Sequence, residues 1–210
     1  PNVVLVFADD LGIGDVGYNR LFAVGGAVHT PVLDQIAAQG TKLTRFYTNA
    51  LCTPSRASLL TGRFASRTNM KNPDGEARSN KESRVLERSQ LLPEVLKDMG
   101  YQTHMVGKWH LGQHERKFTP LGRGFDTYCG NLGGAADNFH HNCEILWNVN
   151  RMVFVVFSCT LWFNVQATYS EFYLANVYGQ HSVEVIEAHD PGDGPLFLYT
   201  AFTAGHDPLQ

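Results

Sequence analysis

The chain has 210 residues, of which 43% are hydrophobic and 18% charged, with a formal net charge of −3. That balance excludes a disordered segment, and the length suffices for one sizeable hydrophobic core. No basic run exceeds two residues, so nucleic acid has no electrostatic footprint, and no apolar run reaches the roughly 18 residues of a spanning helix.

The first element in chain order is residues 2–8, an unbroken apolar run that predicts a strand buried on both faces. It ends in Asp9 and Asp10. Adjacent carboxylates repel each other unless a cation lies between them or both face water. Hard carboxylate oxygens suit Ca²⁺ or Mg²⁺, and ligands gather beyond the carboxyl ends of strands in open α/β sheets. Thr30 and Pro31 predict a helix start, with Thr30 as cap and Gly40 as stop. Residues 43–48 then predict a strand. A helix following Pro54 places Cys52 near its N-terminus, where free amides and the dipole favour an anion.

Residues 71–88 are polar and predict a loop. Ser89 predicts the cap of a helix running through Met99 and stopping at Gly100. Residues 101–106 predict a second strand, after which Lys108 and His110 stand at i and i+2. In extended chain such residues point the same way, and a cation and an imidazole aimed at one spot make an oxyanion clamp. Residues 112–136 are glycine-rich and predict loops. Residues 152–165 are apolar and β-prone and predict a buried strand. A helix over 169–189 and a buried strand over 195–201 follow, and that strand leads to His206. Alternating units of this kind predict a mixed, mostly parallel sheet with helices on both faces. The cysteines are Cys52, Cys129, Cys143 and Cys159. Cys143 and Cys159 enclose a modest loop and form one candidate pair, among alternatives that spacing leaves open.

Two strings and the chain's opening carry a resemblance. Residues 52–63 have the form C-x-P-S-R-x-x-x-x-T-G-R, and residues 100–112 the form G-Y-x-T-x-x-x-G-K-W-H-L-G. With the strand that ends in Asp9 and Asp10, they resemble the sulfatase family. Within it, residues 123–128 and 206–210 are most similar to the arylsulfatase B, or N-acetylgalactosamine-4-sulfatase, branch. The resemblance implies an alkaline-phosphatase-like α/β sandwich, with residues 1–210 as the N-terminal part of a catalytic domain and its C-terminal part beyond them. It implies that a formylglycine-generating enzyme oxidises Cys52 to formylglycine, an aldehyde whose hydrate supplies the nucleophile. Cys52, Arg56 and His110 would be catalytic, and Lys108 and His206 would bind sulfate. Asp9, Asp10 and position 52 would hold Ca²⁺, or Mg²⁺. The implied protein is a lysosomal or secreted sulfuric ester hydrolase acting on sulfated amino sugars, aryl sulfates or glycosaminoglycans. A phosphonate or phosphate monoesterase of the same fold and a non-catalytic sulfatase-like binding or structural protein are the alternatives.

Overall fold

Four parallel strands in the order β1-β6-β2-β3 form the central sheet. The strands are β1 (Val3–Phe7), β2 (Gln102–Gly107), β3 (Thr127–Cys129), β4 (Leu161–Phe163), β5 (Gln166–Thr168) and β6 (Leu196–Ala201), with β4 and β5 forming a separate antiparallel pair. The helices are α1 (Pro31–Gln39), α2 (Cys52–Thr61), α3 (Ala65–Thr68), α4 (Leu92–Asp98) and α5 (Leu174–Ala188). The computed structural model describes residues 1–22, 28–68, 70, 88–113, 115–134, 161–163, 166–168 and 173–206. These fall into two units, one of residues 1–9 and 49–210 and one of residues 10–48.

In the larger unit β6 is buried throughout, because it lies between β1 and β2 and carries an apolar side chain to both faces. Phe197, Tyr199 and Ala201 face one layer with Ala57 and Leu60 of α2, Met105, Trp109 and Phe125. Leu196 and Leu198 face the other, with Val106, Cys129 and the α5 residues Leu174 and Tyr178. The two-residue period of the strand thus sorts its side chains between helix layers on opposite faces of the sheet. Gly107 closes β2 at φ 104°, and a Cβ there would run into the carbonyl of Ala201. A glycine at that point lets the ends of β2 and β6 lie close together.

Several expectations need correction. Among the described residues β1 pairs with β6 alone and lies at the sheet's edge, not buried on both faces, and Val4 and Val6 are exposed. Residues 43–48 form no strand, and Leu43, Phe46 and Tyr47 are exposed. The α4 cap is Leu91, whose amide donates to Glu94 Oε2 at 2.6 Å, and Ser89 plays no such part. The glycine-rich stretch predicted as loop contains β3. In the smaller unit α1 has the predicted bounds, but the Thr30 hydroxyl donates to Asp34 Oδ1 instead of capping a first-turn amide. The loop over 71–87, most of the apolar segment 152–165 and the Cys143–Cys159 pair lie outside the described residues.

Candidate functional site

The carboxyl ends of β1 and β2 and the first turn of α2 bring the candidate residues together. Asp9 follows β1 and is 2% exposed, although it is a carboxylate. Lys108 follows β2, is fully buried, and its Nζ donates to Asp9 Oδ2 at 2.5 Å. Arg56 lies one turn into α2 and is also fully buried. Its Nη1 donates to the Lys108 carbonyl at 2.7 Å, and its Nη2 lies 3.3 Å from Asp9 Oδ1. The guanidinium also sits over the Phe7 ring, 4.9 Å from its centroid.

Burial alone would raise the Asp9 carboxyl above the usual range, but the charges of Arg56 and then Lys108 outweigh it and hold the group below 3.8. Two cations against one carboxylate leave this buried triad with an excess positive charge. Such an excess is costly in a low-dielectric interior unless an anion approaches it.

Cys52 opens α2 after the extended residue Leu51, and no side chain caps that end. A helix N-terminus attracts anions through its free amides and dipole, although Pro54 in this first turn contributes no amide. His110 Nδ1 lies 3.3 Å from Cys52 Sγ and 3.2 Å from Thr53 Oγ1. The extended spacing expected for Lys108 and His110 does not hold, because His110 has a left-handed backbone at φ 56°. The two side chains nonetheless serve one region, Lys108 at Asp9 and His110 at Cys52. His206 sits in the turn after β6, and its charge acts on Asp9, while Gly205 beside it packs on the Asp9 carbonyl. Asp10 opens the smaller unit with φ 57°.

Asp9 and Asp10 offer hard oxygens, the donor chemistry of a Ca²⁺ or Mg²⁺ site. They fit such an ion in kind, while both Asp9 oxygens are engaged in this structure by Arg56 and Lys108. Among the described residues no group of three or more His, Cys, Asp or Glu side chains is placed to hold a metal. No described helix is long and apolar enough to cross a membrane. Reading residues by type overlooked Thr53 and Gly134, which both contact the His110 ring. Thr53 was visible as the variable position of the C-x-P-S-R string, whereas Gly134 was one glycine among many.

The parallel sheet with helices on both faces and residues gathered at its carboxyl ends define a protein of the alkaline-phosphatase-like α/β class. The chain belongs to the sulfatase family, whose profile, described as Sulfatase, matches residues 1–210. It is 36% identical over 214 residues to arylsulfatase J of Mus musculus, covering 100% of this chain and 33% of that protein. It is 35% identical over 215 residues to N-acetylgalactosamine-6-sulfatase of Mus musculus, covering 100% of this chain and 40% of that protein. The crystal structure of Ps i-CgsB in complex with k-i-k-neocarrahexaose superimposes with a TM-score of 0.77 at 28% identity, covering 100% of this chain and 46% of that one. The chain spans well under half the length of these curated relatives.

Proposed function

We propose that residues 1–210 are the N-terminal part of a sulfatase catalytic domain that hydrolyses sulfate esters, with position 52 as the source of the nucleophile. The observation that carries this reading is the placement of Cys52: first in α2, against His110, and near the buried Asp9–Arg56–Lys108 triad with its excess positive charge. Formylglycine at position 52, made from Cys52 by a formylglycine-generating enzyme, would supply a hydrated aldehyde whose hydroxyl attacks sulfur. His110 lies against that hydroxyl group. Lys108 and His206 neutralise the sulfate oxygens, and Arg56 steadies the nucleophile and fixes Asp9.

Asp9, Asp10 and the position-52 oxygen would hold a divalent cation, Ca²⁺ by their oxygen chemistry, and that ion would supply Lewis-acid polarisation of the sulfate. The names of the relatives support aryl sulfates and sulfated amino sugars as the substrate class. The sequence strings favour the N-acetylgalactosamine-4-sulfatase branch and hence sulfated glycosaminoglycans. The same relationship favours a lysosomal or secreted protein.

Mass spectrometry of the peptide spanning position 52 tests the chemistry, with turnover of aryl sulfate measured on the same sample. The expected results are the aldehyde mass in wild type and loss of turnover by more than about 10³-fold in Cys52→Ala with the fold intact. An unmodified cysteine in an active preparation, or substantial turnover in Cys52→Ala, overturns the reading. An unmodified cysteine without activity favours the non-catalytic alternative.

A further inference from the structure

We propose that Thr53 and Gly134 are positioning residues that lock the imidazole of His110 independently of the group at position 52. The inference rests on the sulfatase reading above and adds two residues to it. It starts from strain. His110 is a non-glycine residue at φ 56°, a conformation that costs free energy and persists only where its surroundings enforce it.

The enforcing contacts come from residues 131–134. The amides of Trp109 and His110 donate to the carbonyls of Asn131 and Leu132 at 2.9 and 3.1 Å. Asn131 is in turn fixed, its Nδ2 donating to the Gly133 carbonyl and its Oδ1 accepting from the Tyr178 hydroxyl. At the end of this loop Gly134 lies flat against the ring: a Cβ at 134 would stand 2.5 Å from both Cε1 and Nε2 of His110. Real Cβ contacts do not come that close, so any side chain at 134 must displace the imidazole.

The Nδ1 edge of the ring meets α2. Nδ1 faces Cys52 Sγ at 3.3 Å and the fully buried Thr53 Oγ1 at 3.2 Å. One ring nitrogen offers either one proton or one lone pair, so the two neighbours share it. The substituents at position 52 change during turnover, whereas the Thr53 hydroxyl does not. With Thr53 on Nδ1, Gly134 packed on the ring and a strained backbone beneath, one orientation persists through the cycle, and such preorganisation acts on kcat rather than KM.

The test uses Thr53→Val, which keeps the shape and removes the hydroxyl, Thr53→Ser, which restores it, and Gly134→Ala. Thr53 lies in the string read by the modifying enzyme, so rates are expressed per molecule carrying the aldehyde, counted by mass spectrometry. The expected results are a fall in kcat of about three- to tenfold in Thr53→Val with KM unchanged, recovery in Thr53→Ser, and a larger fall in Gly134→Ala. Imidazole ¹⁵N resonances of His110 provide a readout independent of turnover, and they shift in Thr53→Val but not in Thr53→Ser. Wild-type kcat per aldehyde together with unshifted His110 resonances in Thr53→Val overturns the inference, even if the melting temperature falls. A wild-type protein that carries the aldehyde but hydrolyses no sulfate ester refutes the functional reading instead, and the ¹⁵N shifts then decide the positioning role alone.

Discussion

The larger unit contains two ion-pair networks built from the same side-chain types. One joins Asp9, Arg56 and Lys108 beyond the carboxyl ends of β1 and β2, with all three side chains at most 3% exposed. The other lies toward the opposite end of β2. There Arg123 pairs with Glu94 at 2.8 Å and donates to the Ser89 carbonyl, while Lys97 pairs with Asp126, which also accepts from the amide and hydroxyl of Thr103. The first network joins residues up to 99 apart in the chain and keeps an excess charge. The second is locally balanced and faces water on one side, with Lys97 about half exposed. A buried charge imbalance is costly to fold and marks a candidate site, whereas balanced charges near solvent cost little.

The sharpest way to break that contrast is Asp9→Asn. Removing the one carboxylate leaves two buried cations without a counter-charge, at a cost of roughly 3–5 kcal/mol of stability, and turnover is lost with it. Denaturant unfolding reads the loss, and a change below about 1 kcal/mol would show that the triad is not held as described. Glu94→Gln comes next. It weakens the Arg123 contact and the Leu91 cap, for an expected cost of about 1.5–3 kcal/mol, and turnover at 25 °C stays at the wild-type level.

A smaller, pH-dependent effect comes from His104, whose Nδ1 contacts Thr127 Oγ1 at 2.7 Å. Burial holds its pKa below the ordinary 6.5; Asp126 opposes this, and His189 and His181 add to it. The unfolded chain therefore takes up the proton first as the solution is acidified. The stability from a neutral His104 is full above pH 6.5 and is lost as pH falls through the lowered folded value. The wild-type melting temperature accordingly drops from pH 6.5 to 5 more steeply than that of His104→Asn. Lys97→Ala marks the lower limit, at about 0.2–1 kcal/mol by chemical denaturation, because solvent screens an exposed pair.

Much of this arrangement was legible in the sequence. The strand β6 stood out because a central parallel strand is apolar on both faces, β2 because it follows a helix stop at Gly100, and α2 because Pro-Ser before an apolar run marks a helix start. Asp9, Arg56, Lys108 and Cys52 were found through their strings. Their partners were not, since nothing near Lys108 signals a carboxylate 99 positions away. The sequence reading gave Lys108 to sulfate and Asp9 to a metal, and the structure adds a direct bond between them. β3 escaped because three residues among glycines give no period. Residues 43–48 misled for the opposite reason, as β-prone side chains such as Phe46, Tyr47 and Thr48 record a local preference and not a neighbouring strand. β1 shows the same limit, because its composition cannot say that one edge is unpaired.

The strand order also sets a timetable. β6 lies between β1 and β2, so these two strands are not joined in one sheet until residue 201 has been made. Closing contacts over nearly the whole chain length is slow, and such contacts form late. Synthesis proceeds from the N-terminus at about 5–20 residues per second, and the chain between residues 52 and 201 takes about 7–30 s to make. For that interval Asp9 and Lys108 are held apart, α2 has no finished sheet to pack on, and the side chain at position 52 is presented on a chain that has not yet built its own pocket.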